Sequence, residues 1–114
     1  MSEIGLAELL ARRAGQIGDL VFQRRASLEV ETIDAWWQTN RTSAPELFLV
    51  ELERVLDAVA LLPELGVPAK NTRLDGVRRI LLAKSHHYVY YRRTIDSIQI
   101  LAVWHTSRGQ GPGL

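Results

Sequence analysis

Three runs of residues decide the fold: Gly-Val-Arg-Arg-Ile-Leu-Leu (76–82), Tyr-Val-Tyr-Tyr-Arg-Arg (88–93) and Ile-Gln-Ile-Leu-Ala-Val-Trp-His (98–105). Each run is short and rich in β-branched and aromatic residues, which favour strands. Asp96-Ser97 supplies turn residues between the last two runs. The sequence therefore predicts strands over 77–84, 88–93 and 98–105, joined as an antiparallel meander.

Two helices are predicted before this meander. Residues 26–39 carry apolar side chains at helical steps of four, three and four, which form one stripe: Ala26, Val30, Ile33 and Trp37. A second helix is predicted to start at the sequence Ser43-Ala44-Pro45-Glu46, which fits a capping box, and to stop before Pro63. Because few residues separate the two helices, we expect them to pack as an antiparallel hairpin.

The remaining segments complete an α+β organisation. Leu20–Arg24 is a candidate first strand, and residues 2–14 can form an additional helix. We therefore expect an N-terminal extension over 1–17, one domain over 18–108 and a flexible tail over 109–114, whose glycines do not suit a packed core. The expected architecture is a helix hairpin packed on a small antiparallel sheet.

Composition limits the classes of function. The chain of 114 residues has 14 basic and 13 acidic residues, so bulk charge does not make it a polyanion binder. It has no cysteine, which excludes disulfides and thiolate metal sites and suits the cytoplasm. No apolar run approaches the about 20 residues of a membrane helix, and the first residues lack the pattern of a secretory signal. We expect no membrane, metal, cofactor or small-molecule ligand.

The basic residues are concentrated in the last third of the chain. From residue 76 onward, one acid, Asp96, stands against six cations: Arg78, Arg79, Lys84, Arg92, Arg93 and Arg108. Neighbouring residues of a strand face opposite sides of the sheet, so either Arg78 or Arg79 must point away from the core. A small sheet that carries arginines suits an acidic or extended macromolecule better than a small substrate.

A series of short motifs spans roughly residues 20–108: Ile33-Asp34-Ala35-Trp36-Trp37, Asn40-Arg41, Pro63-Glu64-Leu65-Gly66-Val67-Pro68 and Gly76-Val77-Arg78-Arg79, followed by the strands quoted above. Their order and spacing resemble the ParE branch of the RelE/ParE toxin superfamily. The resemblance implies a strand, a helix hairpin and a three-stranded antiparallel sheet. It also implies an antitoxin whose C-terminal segment wraps the toxin. ParE-type toxins are associated with poisoning DNA gyrase, and RelE-type relatives cut mRNA on the ribosome.

Two sets of contact residues follow from these patterns. The residues expected to contact the target lie in the basic last third: Arg78, Arg79, Arg92, His105 and Arg108. The second helix is apolar nearly all round, so it is either buried on two sides or covered by a partner. Together with exposed positions nearby, it supplies the residues expected to contact the antitoxin: Trp36, Leu47, Val50 and Arg93.

The expected function is that of a non-enzymatic toxin of a type II toxin–antitoxin system. It would inhibit DNA gyrase and be neutralised by a ParD-like antitoxin in a heteromeric complex. One alternative is an mRNA endonuclease in which His105, Arg78 and Lys84 converge, because such cleavage needs an acid–base group beside cations. Another alternative is a non-toxic module that only binds the antitoxin. The adjacent His86 and His87 would face opposite ways on a strand, so they do not predict a metal site.

Overall fold

The computed structural model describes residues 5–14 and 19–114, without the side chains of 11–14. Its elements, in chain order, are α1 (Leu6–Ala14), β1 (Leu20–Phe22), α2 (Arg24–Asn40), α3 (Leu47–Leu61), β2 (Val67–Pro68), β3 (Val77–Leu82), β4 (His87–Arg93) and β5 (Ile98–His105). This confirms the α+β class, the helix hairpin and the additional N-terminal helix. The expected end of that helix at Gly15 and Gly18 lies outside the described residues.

The sheet has the strand order β1-β5-β4-β3-β2. β3, β4 and β5 form the predicted antiparallel meander. β1, however, pairs parallel to β5, with Leu20 opposite Ile98 and Phe22 opposite Ile100. The sheet is therefore mixed: the meander is antiparallel as expected, but the expected antiparallel pairing does not extend to β1. No hairpin joins β1 to β5, and the long connection between them through α2, α3 and the meander permits parallel pairing.

The main core lies between the helices and one face of the sheet. The predicted stripe on α2 faces this core, with Ala26 and Val30 fully buried. α3 contributes Phe48 and Leu52, which are also fully buried, and the sheet contributes the ring of Tyr91. Burial of side chains of this size stabilises the fold by about 1.5–3 kcal/mol each, so the hairpin is held to the sheet by ordinary apolar packing.

A second, smaller cluster covers part of the other face, which we call the free face of the sheet. It contains Val77, Tyr90, Leu101 and Ala102, and Leu114 packs against it. The last residues therefore lie over the free face, where the Gln110 carbonyl accepts a hydrogen bond from Trp104 Nε1 at 2.7 Å. The expectation that the tail stays out of a packed core is wrong for its final residue.

Several boundaries differ from the prediction: α2 spans Arg24–Asn40 instead of 26–39, and β4 begins at His87 instead of Tyr88. Three other differences have local reasons. α3 begins at Leu47 and no side chain caps it, so the expected Ser43–Glu46 capping box is wrong; turn hydrogen bonds between main-chain groups of residues 41–47 take its place. β3 ends at Leu82 instead of Lys84, because the next turn leaves the sheet. β1 ends at Phe22 because α2 already starts at Arg24.

Candidate functional site

The free face of the sheet carries two of the predicted arginines. Arg79 is opposite Tyr90 in the β3–β4 register, and Arg92 is opposite Val77, so these residues share that face. The Arg79 guanidinium lies 4.1 Å from the centre of the Tyr88 ring. Stacking of this kind fixes a guanidinium while leaving N–H groups at its edge for a partner. The Arg92 Nε donates to Gln99 Oε1 at 3.0 Å.

Arg78 lies on the opposite, helix-side face and is engaged within the fold. Its guanidinium donates to the Gly66 carbonyl at 2.7 Å and to the Glu64 carbonyl at 3.4 Å. The Tyr91 hydroxyl anchors the same segment, since it accepts from the Gly66 N–H at 2.7 Å and donates to the Pro63 carbonyl at 2.9 Å. Arg78 and Tyr91 therefore hold the turn between α3 and β2 in place.

A cleft opens where the end of α2, the β3–β4 turn and the end of β5 meet. It has a volume of about 640 Å³. We call it the histidine cleft, and its polar and aromatic lining includes Trp36, Arg41, Lys84, Ser85, His86, His87, His105, Ser107 and Arg108. Two residues of the catalytic alternative, His105 and Lys84, thus line one cavity. The third, Arg78, does not line it, because its guanidinium binds the Glu64 and Gly66 carbonyls in the turn before β2.

The carboxylate of Glu51 on α3 positions the turn that forms one wall of the cleft. It accepts hydrogen bonds from the backbone N–H groups of Lys84 at 2.8 Å and Ser85 at 3.0 Å. The turn ends at His86, whose φ of 62° is a left-handed conformation that histidine adopts more readily than most residues. Glu51 thus holds the turn in place, and the consecutive residues Lys84, Ser85 and His86 line the cavity.

His87 forms the buried floor of the histidine cleft. Its ring packs 5.5 Å from Phe48 and 5.0 Å from His105, measured between ring centroids. Burial, followed by the neighbouring His105, lowers the pKa of His87 from 6.5 to about 4. His87 is therefore neutral at physiological pH.

His105 is exposed at the rim of the cleft, and Ser107 fixes its tautomer. The Ser107 N–H donates to His105 Nδ1 at 3.0 Å, and the Ser107 Oγ lies 2.7 Å from the same atom. Because Nδ1 accepts a hydrogen bond, the proton of the neutral imidazole is on Nε2. His105 therefore presents a donor at Nε2, and its Nδ1 is not free to act as a base.

A third surface consists of apolar residues around the end of α3 and β2, which we call the apolar edge. Its four members lie within seven residues and are 44–68% exposed: Leu61, Leu62, Leu65 and Val67. β2 is the outermost strand on its side of the sheet. This surface was not predicted from the sequence. The pattern that could have indicated it is a set of leucines that continues past the end of α3 into the following turn.

The residues predicted to contact an antitoxin lie at the two ends of α3. Arg93 is near the apolar edge, where it forms an exposed ion pair with Glu64 at 3.2 Å. Trp36 and Val50 are 47% and 45% exposed at the other end of the helix hairpin, while Leu47 packs against the main core. A helix of 15 residues is about 22 Å long, so these two groups of residues are separated by roughly that distance.

Comparison with family models gives a match over residues 20–109, to the ParE toxin of the type II toxin–antitoxin system parDE. The chain belongs to this ParE toxin family. The match extends from β1 through the end of β5, and it confirms the resemblance noted from the sequence motifs.

Among solved structures, a chain of the chromosomal ParDE toxin–antitoxin system from P. aeruginosa is similar to this ParE-family chain. The TM-score is 0.61 at 16% sequence identity, and the alignment covers 77% of this chain and 95% of the other. At that identity the likeness establishes the fold alone. A search among curated proteins finds no match.

Two further searches of the described residues bear on the site. Neither α1, α2 nor α3, the helices of residues 5–14 and 19–114, is long and apolar enough to span a membrane. Within the same part of the chain, no three histidine or acidic side chains are grouped so as to hold a metal ion. The histidine cleft itself is lined by cations, imidazoles and an exposed indole.

Proposed function

We propose that this ParE-family chain is a toxin that inhibits DNA gyrase. We propose further that a ParD-like antitoxin neutralises it by forming a heteromeric complex with it. The observation that carries the proposal is the family match over residues 20–109, which includes every strand and both helices of the hairpin. The expected site of action is the cytoplasm. The proposed mechanism is binding to the target surface, without catalysis by the toxin.

The apolar edge supports the antitoxin part of the proposal. Leu61, Leu65 and Val67 expose apolar area beside a strand that pairs with β3 through only two residues. An outermost strand with exposed apolar neighbours is suited to an extended segment that adds along it. From there such a segment reaches Arg93, and along the hairpin it reaches Trp36 and Val50. We therefore assign antitoxin contact to both ends of α3.

A binding measurement with matched variants tests this assignment. Antitoxins of this family are usually encoded beside the toxin, so the product of the adjacent gene is the expected partner. Its affinity is measured for the wild-type chain and for Leu61→Asp and Val67→Asp, which place a charge in the apolar edge. We expect the affinity to fall by roughly tenfold or more, since a desolvated charge opposes association. Leu28→Asp is the control, because Leu28 is 51% exposed on α2, outside the apolar edge. Equal losses in all three variants would refute the assignment.

The free face of the sheet supports the target part of the proposal. Arg79 and Arg92 are ordered there by Tyr88 and Gln99, and Arg108 stacks 4.1 Å from the Trp104 ring beside His105. Ordered guanidinium groups suit acidic partners because less side-chain freedom is lost on binding. Arg78 is left out of this set, since its guanidinium already binds the turn before β2.

A supercoiling assay with purified gyrase tests the target. The wild-type chain is expected to inhibit supercoiling, and the double variant Arg79→Ala, Arg108→Ala is expected to inhibit at least tenfold less strongly. Arg54→Ala is the control, because this exposed cation lies on α3, on the side of the sheet opposite the free face. Supercoiling that continues in the presence of folded wild-type protein would exclude gyrase as the target.

A second candidate function, mRNA cleavage, is favoured by one observation only. The histidine cleft brings His105 and Lys84 together with Arg41 and Arg108. Cleaved transcripts in cells that express the wild-type chain, but not in cells that express His105→Gln, would support this alternative. Expression without growth arrest and without cleavage would instead favour a non-toxic antitoxin-binding module.

A further inference from the structure

We propose that the histidine cleft binds one nucleotide unit, with its phosphate on the cations and its base on the exposed indole. The unit is either a free nucleotide or one residue of a single strand, and both present the same phosphate-and-base chemistry. The proposal concerns binding only and requires neither gyrase inhibition nor strand cleavage.

The lining charge of the cleft favours a phosphate. Three permanent cations border the cavity, namely Arg41, Lys84 and Arg108, and none of its lining residues is Asp or Glu. This local excess of positive charge occurs in a chain whose basic and acidic residues are almost equal in number. The Glu51 carboxylate lies behind one wall, where the N–H groups of Lys84 and Ser85 bind it. Cations that line a cavity attract a compact anion, and hydrogen bonds to such an anion are stronger than those between neutral groups.

Two neutral side chains, His105 and Ser85, add hydrogen-bond donors to the three cations of the cleft. His105 presents its Nε2–H, because Ser107 engages the other ring nitrogen. Ser85 is only 3% exposed, and its hydroxyl has no hydrogen-bond partner among the described residues. An unpaired buried hydroxyl is costly, so a ligand that gives it an acceptor is stabilised by more than the bond itself.

A flat platform for a base lies at the mouth of the cleft. The Trp36 ring is about half exposed, and the Arg41 guanidinium lies 5.0 Å from its centre. Nucleobases stack on both indole rings and guanidinium planes. A cavity of about 640 Å³ is within the usual range of 300–1,000 Å³ for sites that hold ligands of this class.

The main chain around the cleft disfavours an acidic peptide as the occupant. The N–H groups of Lys84 and Ser85 bind Glu51, that of His86 binds the Leu82 carbonyl, and that of Thr106 binds the His86 carbonyl. A peptide strand needs main-chain partners for its own N–H and carbonyl groups. The cleft instead offers side-chain donors and planar faces, which is the chemistry that a phosphate and a base use.

A neighbouring cavity extends the same chemistry along the free face. It has a volume of about 290 Å³ and shares His105 and Arg108 with the histidine cleft. Its walls include the rings of Tyr88 and Trp104, each with an arginine stacked on it. A single strand whose first unit occupies the cleft has a second aromatic and cationic surface within reach.

Titration calorimetry with the full-length chain tests the proposal. The probes are uridine 5′-monophosphate, uridine, inorganic phosphate, a six-nucleotide single-stranded RNA, the corresponding DNA and hexaglutamate. We expect the monophosphate to bind at least tenfold more tightly than uridine or phosphate, and salt to weaken its binding. Tighter binding of the hexamers than of the monophosphate would support a strand as the source, and equal binding would support a free nucleotide. Hexaglutamate that competes as well as the monophosphate would overturn the assignment.

Matched variants locate the binding site. Lys84→Ala and Trp36→Ala remove a cation and the platform, and each is expected to weaken binding of the monophosphate by roughly tenfold. Both side chains are exposed, so the fold is expected to be retained, which circular dichroism checks. Lys70→Ala is the control for a cation outside the cleft. Wild-type affinity in both cleft variants, or an equal loss in the control, would overturn the proposal. Gyrase inhibition is measured separately, so either proposal can fail while the other stands.

Discussion

The hydroxyl of Tyr91 provides a sharp test of how the turn before β2 is held. Tyr91 is fully buried, and its hydroxyl joins two main-chain groups, the Gly66 N–H at 2.7 Å and the Pro63 carbonyl at 2.9 Å. Tyr91→Phe keeps the ring and removes only this link. Gly66 is buried, so its N–H loses its partner where water does not easily replace it.

The size of the effect follows from these two bonds. Leaving a buried polar group unpaired costs about 1–3 kcal/mol. Pro63 is only partly buried, so water replaces the bond to its carbonyl more easily than the bond to the Gly66 N–H. We expect a loss of about 2 kcal/mol in the free energy of unfolding. For a domain of this size, that loss lowers Tm by about 8 °C.

Thermal and urea unfolding, followed by circular dichroism, measure this loss. Tyr88→Phe is the matched control, because Tyr88 contributes ring contacts to Arg79 and Tyr90 that phenylalanine retains. The control is expected to stay within about 0.5 kcal/mol of wild type, as is typical of surface substitutions. Equal stability of Tyr91→Phe and wild type, or an equal loss in Tyr88→Phe, would refute the reasoning.

Three further outcomes are expected. Gly66→Ala is expected to destabilise the fold by at least about 2 kcal/mol. The new Cβ would lie 2.7 Å from the Tyr91 hydroxyl and 2.8 Å from the Arg79 carbonyl oxygen. An unchanged Tm would contradict this expectation. Glu51→Gln is expected to cost about 1 kcal/mol, since a neutral amide accepts the two turn N–H bonds less strongly, and chemical denaturation measures it. Stability is expected to fall by about 2 kcal/mol between pH 6.5 and pH 4, because unfolded His87 binds a proton below about 6.5 and the folded residue only below about 4. The full shift would correspond to about 3 kcal/mol, which we discount because the ring borders an open cleft. His87→Leu should remove this component, and an NMR titration that places the pKa of folded His87 near 6.5 would rule the explanation out.

The elements that local patterns encode were predictable from the sequence. The apolar stripe of α2 and the strand-forming runs of the meander follow from periods of 3.6 and 2 residues, and they match the structure. Such features depend on neighbours within one helix or strand, so a single sequence contains the required information.

Features that depend on distant partners were not predictable in the same way. The parallel pairing of β1 with β5 joins segments that no local pattern connects, and β2 is too short for its period to be read. Alternation showed that Arg78 and Arg79 face opposite sides, but not that Arg78 binds the Gly66 carbonyl. The contacts assigned to Arg79, Arg92, Arg108, Trp36 and Val50 stay predictions until the binding measurements are made.

The parallel pairing of the first strand with the last has a consequence for how the chain folds. Strand β1 must wait for β5, and the segment between them is about 75 residues long, so closing it costs on the order of 4 kcal/mol of chain entropy. A nascent or nicked chain that ends before Ile98 has the helices but not the strand that joins β1 to the meander. We therefore expect the complete sheet to form only after β5 has been made, and incomplete chains would lack the free face and the histidine cleft, both of which include residues of β5.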